Sequence, residues 1–178
     1  VPPAMTIDHY SAVTRHVQQH FGAEKSLSEE CSQLIDVVGM IFDYLLSDRD
    51  LPSPVKAVLS YLHTPYLKAA FADHAVLENP EHPSRLLLNL LADAGGRWVN
   101  QTGESQFKVF PKIKSVVRAI LTHTHHDMNL FAELLAETQE FCLKVERNIS
   151  AVERRACEKA EGEDRLRMVK RRVLHEVL

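Results

Sequence analysis

Apolar residues recur at intervals of three and four along most of the chain, which is the spacing of helices that bury one side. The first strong repeat begins at Ser26 or Ser28 and ends before Pro52. Either serine can accept a hydrogen bond from a free backbone amide, and Glu29 and Glu30 favour the positive end of the helix dipole. The repeat predicts a helix whose buried positions are Leu34, Ile35, Val37, Val38, Ile41, Phe42, Leu45 and Leu46.

Proline and glycine mark the limits of the next predicted helices. Residues 54–72 carry a helical repeat that Pro65 interrupts, because proline removes a backbone hydrogen bond and its ring disturbs the preceding turn. A third repeat starts with Pro83 in its first turn, where proline is tolerated. Gly95 and Gly96 follow the leucines of this repeat and predict its end.

The last part of the chain contains one medium and one long helical repeat. The medium repeat begins at Gln106 or Pro111 and ends near the histidines at 123–126. From Asp127, apolar or small residues alternate in steps of three and four, as in the seam of a coiled coil. The tract 159–164 interrupts this seam and is compatible with a break in the helix. The seam positions are Phe131, Leu134, Thr138, Phe141, Val145, Asn148 or Ile149, Val152 and Ala156, then Leu166, Val169, Val173 and Val177.

These repeats predict an all-α protein: an irregular bundle of about five helices, with kinks at prolines and a long C-terminal helix. Composition agrees, because six glycines and 7% aromatic residues are few for an all-β chain with many turns. We expect a weakly ordered segment at 1–25, a helical core at 26–126 and the long helix at 127–178. With 178 residues the chain can bury a core without metal or disulfide bonds.

Charge and cysteine content narrow the classes of function. The formal net charge of −3 argues against a basic nucleic-acid-binding face that extends over the whole domain. Cys31, Cys142 and Cys157 form no metal-binding pair and are odd in number, which favours a reducing cytoplasm. No apolar run approaches the roughly 20 residues that cross a bilayer. The sequence predicts a cytoplasmic protein without cofactor or membrane span.

The histidines at 123–126 form the best candidate for chemistry. His123, His125 and Asp127 match three positions of the HxHxDH motif of metallo-β-lactamase-type hydrolases, whose ligands hold zinc and activate water. The fourth position is Met128, and the preceding repeat is helical where that fold has a strand. We therefore expect a junction between two helices here, with Asp127 at the start of the second helix. Metal-dependent hydrolysis is the alternative.

Two segments carry specific sequence motifs. Residues 51–68 contain LPxPxK followed by LxxPxLK, and residues 82–89 read HPxRxLLN. In order and spacing these motifs resemble those of the proteobacterial proteins of domain-of-unknown-function family 1631. The resemblance covers roughly residues 30–145, implies a domain of a long cytoplasmic protein, and supplies no catalytic residues. Some members carry the label thymidine phosphorylase, an activity that needs a phosphate-binding loop. The pair Gly95-Gly96 is too short for such a loop.

Basic residues in these two segments could line a polar groove. An arginine near a helix start can recognise a phosphate or a carboxylate. A structural role is favoured, because buried charged residues usually cap carbonyl groups or pair with acidic residues between helices. The candidates are Lys56, Lys68, His82 and Arg85, with Asp43, Asp48, Asp50 and Asp73 as possible partners.

Three further features have both a functional and a structural interpretation. Trp98 can anchor a partner, but its structural role is to close the end of the bundle beside the polar loop at 100–106. The basic tract at 165–172 can contact nucleic acid or anionic lipid, but acidic residues precede it, which favours a solvated flank of a coiled coil. The three cysteines are interpreted as small apolar residues on helices.

The leading hypothesis is a non-enzymatic helical scaffold or regulatory interaction domain of a larger bacterial protein. Its partner would be another protein or a second copy, bound through the long C-terminal helix, because an apolar stripe left in water is an association site. The alternatives are metal-dependent hydrolysis at His123, His125 and Asp127, and binding of nucleic acid or an anionic signalling nucleotide.

Metal analysis distinguishes a helix junction from a hydrolase site. Protein purified without chelators is expected to contain far less than stoichiometric zinc, because two ligands on one helical turn form only a weak site. Replacing His123 and His125 by alanine should leave the zinc content unchanged. Stoichiometric zinc that disappears in the double variant would instead establish the hydrolase alternative.

Overall fold

The structure is a computed structural model that describes residues 27–123 and 128–177. Over these residues the chain forms seven α-helices and one 3-10 turn, without strands, which confirms the all-α prediction. The helices outnumber the predicted five because the second repeat is divided and a short helix lies in a predicted linker. The elements are α1 (Leu27–Ser47), α2 (Ser53–Ser60), α3 (His63–Ala72), α4 (Ala75–Glu78), α5 (Pro83–Trp98), the 3-10 turn (Gln106–Lys108), α6 (Val109–Thr122) and α7 (Met128–Val177).

The chain divides into two compact units, Val1–Gln139 and Glu140–Leu178. In the first unit, α1 packs mainly on α3, and α5 packs on α6. Six of the eight predicted apolar positions of α1 are buried, whereas Ile35 is 47% exposed and Leu46 is half-buried. The fully buried side chains of this unit include Leu34, Leu59, Leu62, Leu87, Leu91 and Ile113.

The break between α2 and α3 follows from Pro65. In a continuous helix the carbonyl of Tyr61 would accept a hydrogen bond from residue 65, and proline has no amide hydrogen to donate. The helix ends at Ser60, and α3 begins at His63 with Pro65 in its first turn. The predicted interruption is therefore a complete break, located four residues before the proline.

The predicted helix end at Gly95 and Gly96 is wrong, since α5 continues to Trp98. Gly95 is buried, and a Cβ atom at this position would lie 2.5 Å from Cγ1 of Val55 on α2. This glycine therefore permits two helices to approach closely and does not terminate one of them.

A tight loop connects α5 to α6. The side-chain oxygen of Asn100 accepts hydrogen bonds from the backbone amides of Thr102 and Glu104, and Gly103 has a positive φ of 82°. Phe107 and Lys108 follow in the left-handed region, with φ of 50° and 58°. Because α6 starts only at Val109, both predicted starting points, Gln106 and Pro111, are wrong by two or three residues.

The long helix α7 begins in the first unit and is continuous to Val177. Phe131, Leu134 and Thr138 are buried there, and Glu137 forms an ion pair with Lys112 of α6. The helix runs through the tract 159–164 without a break, so that tract interrupts the apolar pattern only. Within residues 27–123 and 128–177, no helix is both long and apolar enough to cross a membrane.

The two neighbouring glycines of α5 provide a matched test of this packing. Gly95→Ala should lower the free energy of unfolding by about 1–3 kcal/mol, because the new methyl group overlaps Val55. Gly96→Ala should raise it by about 0.5–1 kcal/mol, because its Cβ would meet only the carbonyl of Asp50 at 3.9 Å and alanine favours helix. Urea denaturation measures both values, and equal effects of the two substitutions would contradict the packing role of Gly95.

Candidate functional site

The HPSR segment at the start of α5 forms a buried polar cluster. His82 is the N-cap residue and Pro83 occupies the first turn. The amide of Ser84 donates a hydrogen bond to Nδ1 of His82 at 3.3 Å, and the Ser84 hydroxyl lies 2.7 Å from the same nitrogen. An Nδ1 atom that accepts a hydrogen bond carries no hydrogen, so the neutral ring is protonated at Nε2. That nitrogen faces the Asp73 carboxylate at 3.7 Å.

Arg85 connects this cluster to α4. Its side chain is 6% exposed, and Nη1 donates a hydrogen bond to the carbonyl of Leu77 at 3.0 Å. Carbonyl groups in the last turn of a helix have no partner within that helix, so the guanidinium satisfies one of them. The arginine therefore holds the four-residue helix α4 against α5.

Tyr66 of α3 completes the cluster from another side. Its hydroxyl donates a hydrogen bond to the carbonyl of Ser84. Its ring makes edge-to-face contacts with Phe42 on α1 and Phe131 at the start of α7, with centroid distances of 5.9 and 5.4 Å. Edge-to-face pairs are favourable arrangements for aromatic rings. One side chain thus links four helices of the first unit.

Burial lowers the pKa of His82 below its ordinary value of 6.5. Desolvation is the largest cause, since it penalises the charged imidazolium, and Arg85 acts in the same direction. The Asp73 carboxylate opposes both by favouring the charged ring. The ring is therefore neutral at pH 7, as its role as a hydrogen-bond acceptor at Nδ1 requires.

Asp73, His82 and Ser84 bring together the three groups of a hydrolytic triad, a carboxylate, an imidazole and a hydroxyl. A serine nucleophile must reach a substrate carbon at about 3–3.5 Å. Ser84 is 0% exposed, and its backbone and hydroxyl groups are both engaged by the helix cap. The geometry therefore serves the start of α5 and does not support hydrolysis.

The cavity beside the cluster is too small for a substrate. Its volume is about 10 Å³, and its lining includes Val38, Phe42, Leu77, Arg85 and Leu88. Such a space holds about one water molecule. The polar groups of the cluster thus act on one another and on the backbone.

The other two basic candidates, Lys56 and Lys68, take no part in the hydrogen bonds of this cluster. Lys68 is exposed, and Lys56 is half-buried on α2. Sequence reasoning named His82, Arg85 and the possible partner Asp73, but missed Tyr66 and Ser84. The position of Ser84 between His82 and Arg85 was the available signal, because serine is a frequent hydrogen-bonding residue in the first turn of helices.

The predicted histidine site is only partly described. His123 follows α6 as its C-cap residue and is exposed. His125, His126 and Asp127 lie outside the described residues. Among the residues that the structure does describe, no three histidine, cysteine, aspartate or glutamate side chains are grouped to bind a metal. The hydrolase alternative therefore stays a prediction.

Trp98 and the cysteines lie in different environments. Trp98, the last residue of α5, is half-buried, and the guanidinium carbon of Arg97 lies 4.6 Å from the centre of its ring. Cys142 is buried and Cys31 is half-buried, whereas Cys157 is exposed. The interpretation of the cysteines as small apolar residues therefore does not describe Cys157, whose thiol is exposed.

The second unit presents an apolar surface of a different kind. Cys142 and Val145 are buried, but every residue from Val152 to Val177 is exposed. Four apolar residues at intervals of three and four form what we call the C-terminal stripe, and they are 53–77% exposed. The C-terminal stripe consists of Leu166, Val169, Val173 and Val177.

Comparison with known proteins identifies one family. The family model described as "Protein of unknown function (DUF1631) 2nd domain" matches residues 3–127. The match begins earlier than the expected residue 30 and ends just before α7, short of the expected residue 145. It includes both segments that carry the resemblance. No curated protein and no solved structure matches the chain.

The protonation of His82 can be measured as a pH dependence of stability. Because its pKa is lowered in the folded protein, the unfolded chain binds a proton at higher pH than the folded chain does. The free energy of unfolding should therefore fall as the pH decreases below 6.5. In His82→Asn, whose amide oxygen can still cap α5, this part of the pH dependence should be absent.

Urea denaturation of both proteins at a series of pH values measures this difference. Subtracting the two curves removes the contributions of the other nine histidines among the ten in the chain. Parallel curves for the two proteins would contradict the assigned state of His82.

Proposed function

The chain belongs to the DUF1631 family, over that family's second domain, and we propose that it works as a non-enzymatic helical interaction domain. The C-terminal stripe is the observation that supports this proposal most directly. Its members, Leu166, Val169, Val173 and Val177, are 58%, 57%, 53% and 77% exposed. Apolar side chains that follow one another along a helix in this way are typical of a surface for a second helix.

The energy available from covering the C-terminal stripe is substantial. Full burial of a leucine or valine side chain contributes about 1.5–3 kcal/mol. Four such side chains can therefore offset a large part of the roughly 4–15 kcal/mol of freedom lost when two proteins associate. A partner that adds apolar residues of its own gains further.

The polar cluster of the first unit favours the same conclusion. His82, Arg85 and Tyr66 use their polar atoms for helix capping and for backbone carbonyl groups. The adjoining cavity of about 10 Å³ leaves no room for a substrate. An interaction domain needs such internal bonds for stability, whereas an enzyme needs some polar groups directed at a substrate.

Site-specific photo-cross-linking in cells tests the proposed function. A photoreactive amino acid is placed at Val169 or at Val173 of the full-length protein that contains this chain. We expect a cross-linked protein product, which is either a second copy or a different protein. The same amino acid at Arg171 should give much less product, because two residues correspond to about 200° around a helix.

Two results would contradict the proposal. One is the absence of protein cross-links at both positions of the C-terminal stripe. The other is equal cross-linking from Arg171, which would indicate random encounters and not a bound surface.

A further inference from the structure

We propose that the C-terminal stripe binds a helix of a different protein whose own apolar seam is flanked by acidic residues. This inference rests on the proposed function, because it names the chemistry of the partner. It is carried by the narrow width of the stripe, by the basic residues on both of its sides, and by the cationic residues that continue its line along α7.

The C-terminal stripe occupies a narrow sector of α7. Its four members lie within about 80° of one another around the helix axis, at about 100° per residue. Lys170 separates this sector from Leu174, the next exposed apolar residue around the helix. A narrow stripe is typical of the seam between two paired helices, whereas a helix that lies in a membrane surface needs a wider apolar face.

The residue types of the stripe also favour a helix as its occupant. Three of its four members are valines, and residues 142–178 contain no phenylalanine, tyrosine or tryptophan. Branched residues of this size are typical of the seam of a coiled coil. Helices in a membrane surface instead use leucine, phenylalanine and tryptophan side chains, which reach deeper into the lipid.

Basic residues flank the C-terminal stripe on both sides. Arg165 and Arg172 lie about 85° and 105° from the centre of the stripe on one side, and Lys170 lies about 55° from it on the other. All three are exposed. Charges beside a seam determine which helix is accepted as its partner. Glutamate or aspartate at the flanking positions of a partner helix would pair with these three residues.

The flanking residues are available for such contacts. Among the residues that the structure describes, no carboxylate forms an ion pair with Lys170 or Arg172. Arg165 lies 3.9 Å from the carboxylate of Glu161, and both side chains are at least 70% exposed. An exposed pair at this distance contributes little to stability, so its exchange for a contact with the partner costs little.

The line of the C-terminal stripe continues along α7 with cationic residues. Counting back from Leu166 in steps of four, three and four gives Gly162, Lys159 and Arg155. Each of these residues lies within about 40° of Leu166 around the helix axis. Lys159 and Arg155 are exposed. A partner helix that covers the stripe and extends along this line therefore requires acidic residues within its seam as well as beside it.

A second copy of the chain matches this surface less well. With the stripes aligned, a parallel pair sets Arg165 against Lys170 across the seam. An antiparallel pair sets Arg165 against Arg172, and leaves Glu163 to meet Lys170. Like charges beside a seam repel each other, so a helix with acidic flanks fits better than a second copy in either orientation.

Mapping of the cross-link at Val169 tests the identity of the partner. The cross-linked product from the full-length protein is digested, and the joined peptide is sequenced by mass spectrometry. We expect a peptide of a different protein, with apolar residues at intervals of three and four and mostly acidic residues beside them. A peptide from a second copy, or a partner peptide with basic flanks, would overturn the inference and leave the proposed function in place.

Two synthetic helical peptides test the role of charge on the chain itself. Both contain about three heptads with isoleucine and leucine in the seam, and they differ only at the flanking positions, which are glutamate in one and lysine in the other. Neither pairs readily with itself, because its own flanking charges repel. By fluorescence anisotropy, the chain should bind the glutamate peptide at least about tenfold more tightly. Equal or tighter binding of the lysine peptide would overturn the inference.

Charge reversal separates contacts beside the stripe from general attraction. Arg165→Glu combined with Lys170→Glu should shift the ratio of the two dissociation constants by at least about tenfold towards the lysine peptide. The matched control combines Arg167→Glu with Arg171→Glu, which changes the net charge equally at positions about 115° and 155° from the centre of the stripe. It should change the ratio far less. Equal shifts in the two variants would overturn the inference.

Vesicles distinguish a protein partner from a membrane. The chain should not co-sediment with vesicles of phosphatidylcholine and phosphatidylserine in equal parts. Co-sedimentation that Val173→Asn abolishes would overturn the inference, because the stripe would then bind lipid. If, in addition, neither Val169 nor Val173 gives a protein cross-link in cells, the proposed function fails as well.

Discussion

Pro65 has no amide hydrogen, and the route of the chain through the first unit depends on this missing donor. The carbonyl of Tyr61 cannot receive the bond of a continuous helix, so α2 ends and α3 starts in a new place. Tyr66, the next residue, then contacts α1 and Phe131 with its ring and reaches the Ser84 carbonyl with its hydroxyl. A local property of one residue thereby determines how several helices meet.

Local effects of this kind explain which parts of the fold could be predicted from sequence. The repeat of α1 and the interruption at Pro65 depend only on neighbours within one or two turns, and both were predicted. Gly95 was misinterpreted because its role depends on Val55, which is distant in sequence and close in space. The helix α4 was missed because four residues are too few to show a helical period.

The polar cluster also combines features that depend on near neighbours in sequence with features that depend on distant residues. Sequence patterns indicated that His82 and Arg85 have structural partners, and Asp73 was one of four acidic residues considered. The carbonyl groups of Leu77 and Ser84 could not be predicted as acceptors, because every residue carries a carbonyl and only the fold selects one. Along α7, the spacing of apolar residues is the same before and after Val145, so the pattern alone could not show where burial ends.

The helix α7 unfolds locally more easily around Gly162 than on either side of it. No atom lies within 4 Å of the place where its Cβ would be, so no packing contact there explains a glycine. In a helix interior glycine costs about 1 kcal/mol relative to alanine, because it loses more backbone freedom on ordering. The backbone amides around Gly162 therefore exchange their hydrogens with solvent faster than those on either side. The acidic and the basic halves of the exposed helix can then fray as separate segments, and a bound partner would slow exchange in both together.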